Sequence, residues 1–546
     1  MKKLLIAILL LLPGYISAQV NVTADITANT TWSASNVYVL DGLIFVHSGV
    51  TLTIEAGTII KGKLQANITT GDGASALIVR RGAYIIANGA ADAPIIFTSE
   101  LDDISNPNDL GIDDKQLWGG LILLGKAVTN QPTTDNQIEG IPTTEDALFG
   151  GTDDNDSSGV IRYVSVRHGG FSISGVEGDE INGITFGAVG SRTVVEYVEV
   201  FANFDDGYEW FGGTVNVKYL VSAFCGDDGI DWDMGFRGKG QYWFVIQSST
   251  EAGRGGELDG GDDNETGQPY AAPQLSNATW IGAGATSVGV GGDGNDYGLY
   301  FRDNSGGKVW NSILTDFVAN SGAVYVEDLA SGEDSRSRLD GGDLVLNNNI
   351  WWGFSNGNTL ESVAPQNFLQ TYLTSNNNQV ADPEIMSISR TNDGNLNPRP
   401  NPSGPAGSGA AVLTDPFFTQ TTYFGAFDPN APLWTNGWTA LSSTGVSGVK
   451  EDQISDLTPS QFNLTQNYPN PFNPTTRISY SLPFSSNVKL TIYNSLGQVV
   501  EVLADGFRNA GTYEITWEAS NLSSGIYIYT MQSENSIVTR KMTLLK

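Results

Sequence analysis

Val195-Glu196-Tyr197-Val198, followed by Asp205-Asp206-Gly207-Tyr208-Glu209-Trp210, returns 22 residues later as Val217-Lys218-Tyr219-Leu220 and Asp227-Asp228-Gly229-Ile230-Asp231-Trp232. A further run, Gln241-Tyr242-Trp243-Phe244-Val245, continues the series. Short β-branched and aromatic runs, separated by Gly, Asn and Asp turns at this spacing, fit one coil of a right-handed parallel β-helix. A single coil cannot bury its inner face, so coils stack into one long core. A β-propeller or a pair of sandwiches are the competing architectures.

Working outward, similar runs recur from Val20 to about Leu441, among them Leu43-Ile44-Phe45-Val46, Ala76-Leu77-Ile78-Val79 and Ile161-Arg162-Tyr163-Val164. No convincing amphipathic helix appears in this span. With 65 Gly in the chain, turns are abundant and strands recur too often for one sandwich. Asp102–Asp114, Thr129–Ser158 and Asn392–Gly409 are rich in Asp, Asn, Thr or Pro and read as loops projecting from the coils. Phrases such as Trp118-Gly119-Gly120-Leu121 and Arg302-Asp303-Asn304-Ser305-Gly306-Gly307-Lys308 resemble uncharacterised bacterial surface β-helix proteins. That resemblance implies a fold and no activity.

The two ends of the chain point to export. Lys2 and Lys3 precede the apolar run Leu4 to Leu12, Pro13-Gly14 breaks it, and Ala18 stands before Gln19. This is the pattern of a cleaved signal peptide, too short for a stable membrane anchor, so no transmembrane segment is expected in the mature chain. At the other end stand Tyr468-Pro469-Asn470-Pro471-Phe472-Asn473-Pro474, Val488-Lys489-Leu490-Thr491-Ile492-Tyr493-Asn494 with Leu496-Gly497-Gln498, Gly511-Thr512-Tyr513, and Leu522-Ser523-Ser524-Gly525-Ile526-Tyr527. A basic final run, Arg540-Lys541-Met542-Thr543-Leu544-Leu545-Lys546, closes the chain. Together these resemble the type A C-terminal sorting domain of type IX secretion substrates. The resemblance implies a small immunoglobulin-like β-sandwich, recognition by the type IX secretion machinery, and an extracellular or outer-membrane-surface location. The period-2 runs containing Ile492, Val499, Ile515, Trp517, Ile526 and Ile528 agree with a sandwich. The layout expected is a signal peptide over 1–18, a β-helix over 19–445, a linker over 446–462 and the sorting domain over 463–546.

Charge and rare residues narrow the chemistry. The leader carries two Lys, and from Asn463 onward there are six basic and five acidic residues. Of the chain's 28 basic and 60 acidic groups, 20 and 55 remain on residues 19–462, a net −35. Such a surface repels nucleic acid and anionic lipid and favours divalent cations. A single cysteine, Cys225, rules out an internal disulfide and reads as a small buried hydrophobe. Two histidines, His47 and His168, make the usual zinc sites and Ser-His-Asp constellations hard to build. His168 reads as a surface turn residue.

The repeat itself supplies the candidate site. One coil apart, Asp205 stands beside Asp227, Asp206 beside Asp228, and Glu209 beside Asp231. At a strand spacing of ~4.8 Å, two carboxylates repel by about 3–4 kcal/mol at an effective dielectric of about 20. Ca²⁺ would offset that repulsion with carboxylate and carbonyl ligands, and Asp233 and the run Glu257 to Glu265 add oxygens. The bland alternative is a row of solvated turn acids. Asn203-Phe204-Asp205 followed by Asp227-Asp228 also resembles the acid cluster of polygalacturonase-type β-helix glycosidases, which would give Asp205, Asp227 and Asp228 catalytic roles. The next coil has Ser248-Ser249-Thr250 where that family expects Gly-His-Gly, and only Arg254 is near. A third possibility is a carbohydrate-binding face made by Tyr208, Trp210, Trp232, Phe236, Tyr242 and Trp243, about half of which are expected to point inward. The expected role is an exported structural, adhesive or glycan-binding protein that contacts extracellular polysaccharide. The alternative is a polysaccharide hydrolase or lyase.

Overall fold

The computed structural model describes residues 18–107, 109–173, 180–261, 264–288, 290–291, 295–447, 462–483, 486–508, 511–519, 522–533 and 536–546, and residues 451–455 by their backbone. The signal-peptide stretch 1–17 lies outside the described residues.

The chain winds as a parallel β-helix with three faces. On the first face, Thr30–Trp32, Thr51–Ile54, Tyr84–Asn88 and the N-terminal half of Gly159–Arg167 pair in parallel, and the ladder runs on to Leu344–Asn347. The second face begins with Ala18–Val22 on Asn36–Leu40 and ends with Ile350–Phe354 on Gln379–Val380. The third is a nine-stranded sheet from Leu43–Val46 to Gly322–Val326. In the middle coils one long strand serves both the first and second faces and bends between them. The bend falls at Tyr163, Tyr197, Tyr219 and Tyr242, which take left-handed φ values of 48–62°. These residues drop out of register, so Arg162 pairs with Glu196 and Val164 with Val198. Stacking contributes at these strained positions: the Tyr163–Tyr197, Tyr197–Tyr219 and Tyr219–Tyr242 ring centroids are 4.4, 4.2 and 4.8 Å apart. In the later coils Asn277, Asn311 and Asn348 occupy the left-handed bend, a conformation Asn adopts readily, and Asn348 donates to Asn311 at 2.9 Å.

Val195 pairs with Val217 and Trp210 with Trp232, the register the repeat implies. The spacing then lengthens: Leu220 pairs with Trp243, Trp232 with Leu258, and Leu258 with Phe301. Coils without an insertion keep the short period: Thr30 pairs with Leu52 and Val37 with Ile59, each 22 residues on, as Val195 does with Val217. Inside, Phe186, Trp210, Trp232, Trp243, Leu258 and Phe301 fill the bore, and the Trp210 and Trp243 rings stack at 5.1 Å.

Several expectations need correction. Short helices do occur: Ser335–Gly341, Leu360–Val363 and Asn367–Ser375 lie at the C-terminal end of the stack, where Val363, Leu369 and Leu373 seal the open core. A stack of coils needs such a cap. The stretch Thr129–Ser158 does not simply project. It carries the small hairpin of Asn136–Gln137 and Leu148–Phe149, and lays Ile138, Ile141, Ala147 and Phe149 over Ile78, Ile122 and Leu124 on the outside of the third face. Within Asn392–Gly409, Asn397–Pro400 pairs with Ile385–Ser387, and Ala406 packs on Ile313 and Ile350. His168 is a buried residue, not a surface one, with its Nδ1 2.6 Å from the Asp114 carbonyl oxygen.

The C-terminal unit comprises two antiparallel sheets around a shared core of Ile478, Tyr480, Leu490, Ile492, Ile515, Trp517, Tyr529 and Met531. Glu451–Ser455, in the stretch read as a linker, pairs with Gly511–Glu518 in one of them. In Gly525–Ser533 the inward set is Tyr527, Tyr529 and Met531, so Ile526 faces outward.

Candidate functional site

The Asp-Asp-Gly turns connect the second face to the third. Gly207 can be only glycine: a Cβ there would lie 2.2 Å from Ser222 Oγ and 2.7 Å from the Gly229 carbonyl oxygen of the next coil. This close approach aligns the Asp205-Asp206 turn on Asp227-Asp228. Asn203, fully buried, locks the turn by donating its amide to the Asp206 carbonyl at 2.8 Å. One coil on, the matching position is Cys225, which is buried as expected, 3.5 Å from Ser222 Oγ.

The repeat brings the predicted acids together. One carboxylate oxygen from each of Asp205, Asp206 and Asp227 lies within 4.8 Å of the other two. Asp206 is buried and accepts the Asp228 N–H at 2.8 Å. Asp228, 1% exposed, accepts the Arg254 N–H through Oδ1, while its buried Oδ2 has no partner among the described residues. Glu209 and Asp231 face each other across the register of the third face, one coil step apart, and continue the acidic row away from the turn. Asn182 donates to Glu209 and, at 3.1 Å, to Glu139. One buried oxygen of Asp231 has no partner among the described residues.

Burial, reinforced by neighbouring carboxylates, pushes these groups well above the usual carboxylate range. For Asp205 burial comes first, then Glu139 and Asp227. For Asp206 it is burial, then Asp205, Asp231 and Asp228. Glu209 feels burial, Glu139 and Asp231; Asp228 feels burial, Asp227 and Glu257; Asp231 feels burial, Asp259 and Glu257. The row is therefore poised to hold either protons or a cation. The basic groups beside it are already engaged. Arg254 pairs with Glu257 at 2.8 Å and Asp296 at 3.1 Å, and Arg302 with Asp259 at 2.8 Å. Lys308 sits on a first-face strand paired with Gln274, away from this row. Of the acidic run beyond Glu257, Asp259 is buried against Arg302, while Asp262 and Asp263 lie outside the described residues.

Sequence reasoning missed Glu139 and Asn182. Glu139 lies in the stretch read as a projecting loop, and Asn182 precedes a strand with no repeat signature. It also misplaced the aromatics. Tyr208, Trp210, Trp232, Phe236, Tyr242 and Trp243 are all buried, so none of the six offers a ring face to a sugar. Five fill the bore, and Tyr242 is covered on the outside by the returning segment that carries Phe427 and Leu441.

Among the described residues no helix is long and apolar enough to cross a membrane. No curated protein matches the chain. A family model described as a secretion system C-terminal sorting domain matches residues 466–544, which marks the protein as a secreted or cell-surface substrate of the type IX secretion machinery. A second, described as a pectate-lyase-like β-helix domain, matches residues 24–439. With stacked parallel coils across that span, the chain belongs to the pectate-lyase-like β-helix family and ends in a type IX sorting domain.

Proposed function

We propose that the protein is a structural, adhesive or glycan-binding β-helix of the cell surface or secreted fraction, with Ca²⁺ held between coils by Asp205, Asp206 and Asp227. The observation that carries the metal reading is the convergence of three carboxylates within 4.8 Å of one another, next to Asp228, one buried oxygen of which has no partner among the described residues. Oxygens on opposite sides of a Ca²⁺ ion, each about 2.4 Å from it, are about 4.8 Å apart, so this donor set fits the ion. All the donors are hard oxygens, which suits Ca²⁺ and not a soft metal. The ion would supply the positive charge that lets the three carboxylates ionise together.

The same spacing weighs against the hydrolase reading for Asp205, Asp227 and Asp228. A glycosidase pair stands ~5–5.5 Å or ~6.5–9.5 Å apart, on either side of the bond it cleaves. Asp205 and Asp227 turn one oxygen each to within 4.8 Å of the other, which leaves little room for a glycosidic bond between them, and Asp228 is tied to a main-chain N–H. Melting the mature chain in EDTA and in millimolar Ca²⁺ tests the metal reading. A melting temperature several degrees higher in Ca²⁺ is expected; identical melting curves would remove the ion from the account. Sugar release from a polysaccharide panel by the parent, abolished in a folded Asp227→Asn variant, would establish the hydrolase instead.

A further inference from the structure

The third face changes character along its length. Its N-terminal outer surface is apolar and covered by the Ile138–Phe149 region. Beyond it one outward row reads Glu209, Asp231, Glu257, Tyr300, Tyr325, each in register with the next across successive coils. Four steps of ~4.8 Å make this row about 19 Å long. Its far end carries rings: Tyr300 and Tyr325 stack at 5.1 Å, and Tyr297 joins them at 5.4 and 5.0 Å. All three are half-buried, unlike the aromatics of the bore. The Arg254 guanidinium lies over Tyr300 at 4.6 Å and is itself held by Glu257 and Asp296, which fixes the cluster at one end. Strand Gly322–Val326 is the last of its sheet, and Gln366 satisfies its edge by accepting the Val326 N–H and donating to the Val326 carbonyl.

We propose that the outer edges of Tyr297, Tyr300 and Tyr325, whose faces are engaged with one another and with Arg254, form a shelf against which a pyranose ring of an uncharged polysaccharide packs, with Glu257 and Asp231 accepting hydroxyl hydrogen bonds farther along the row. The inference rests on the glycan-binding reading and gives it a place and a ligand class. Tyrosine suits this role because it joins an apolar ring to a polar hydroxyl. The charge pattern selects a neutral polymer. Arg302 is shared among Glu257, Asp259 and Asp303, and Arg254 is likewise engaged, so neither arginine is left to meet a uronate carboxylate. The surrounding carboxylates would repel a polyanion.

Affinity gel electrophoresis of the mature chain tests this, with neutral glucan, mannan and xylan in one set of gels and polygalacturonate in another, all in EDTA to exclude cation bridging. Retardation by at least one neutral polymer is expected. Tyr325→Ala should weaken it at least tenfold and Tyr325→Phe less than twofold, with Tyr300→Ala as a second variant should Tyr325→Ala fail to fold. Retardation by a neutral polymer that survives both alanine variants overturns the shelf but leaves glycan binding standing elsewhere. Retardation by polygalacturonate alone overturns the choice of a neutral ligand. No retardation by any of the polymers overturns both the shelf and the glycan-binding reading.

Discussion

Replacing Asp206 by Asn should change stability in opposite directions depending on Ca²⁺. The substitution is nearly isosteric, and Asn keeps the oxygen that accepts the Asp228 N–H. What it removes is charge. Two ionised carboxylates 4.8 Å apart repel by about 3.5 kcal/mol at an effective dielectric of about 20. Three such pairs approach about 10 kcal/mol, comparable to the whole stability of a typical domain. Asp205, Asp206 and Asp227 therefore cannot all ionise without a counter-charge, and without a cation burial favours the protonated forms of Asp205 and Asp206. In EDTA near pH 7.5, Asp206→Asn relieves part of this burden, and a gain of about 1–2 kcal/mol is expected. In Ca²⁺ the parent gains about 2.7 kcal/mol at a hundredfold excess over its Kd, and the variant, one ligand short, forfeits most of that. Differential scanning calorimetry of both proteins in both buffers is the assay. The parent should melt lower than the variant in EDTA and higher in Ca²⁺. A variant less stable by the same amount in both buffers would refute the reasoning, because that result describes a structural side chain and not a charge site.

Further outcomes are expected from the same structure. The acids of the row have folded-state pKa values raised above the unfolded ones, so their contribution is full below about pH 4 and is lost as pH rises through the folded values. In EDTA the melting temperature should rise as pH is lowered from 8 toward 5, and Ca²⁺ should flatten that slope. Glu199 is fully buried and accepts Ser165 Oγ at 2.6 Å and the Ala440 and Leu441 N–H groups at 2.5 and 3.2 Å, fastening the returning C-terminal segment to the second face. Glu199→Ala should cost about 3–5 kcal/mol and raise hydrogen exchange across residues 424–447 more than elsewhere. Tyr197→Asn keeps a side chain that accepts the left-handed bend but loses two ring stacks, so a loss of about 1–3 kcal/mol in urea unfolding is expected. Removing residues 463–546 should leave the β-helix folded and trapped inside the cell, as judged by fractionation; export of the truncated chain would contradict the role of the tail.

The fold was legible where a coil carries no insertion. Val195–Trp210 and Val217–Trp232 repeat visibly because only short turns separate their strands, whereas Leu258 and its partner Phe301 are separated by a long excursion that erases the period. The pairing of Glu209 with Asp231 followed directly from that repeat. The shelf of Tyr297, Tyr300 and Tyr325 did not, since it is assembled across one of the lengthened coils. Strand alternation accounts for the indoles: Trp210 and Trp232 alternate with the outward Glu209 and Asp231, and that parity alone sends both inward. Tyr242 escaped the same logic because it sits at a bend, where a returning segment covers it. The cap helix Asn367–Ser375 was hidden because only Leu369 and Leu373 of its nine residues are buried, too faint a pattern against a strand-rich background.

The most direct test of cation binding between coils is anomalous diffraction from crystals of the mature protein grown in millimolar Ca²⁺. The account predicts a peak about 2.3–2.6 Å from one oxygen each of Asp205, Asp206 and Asp227. Well-ordered density for all three side chains with no peak between them would contradict it.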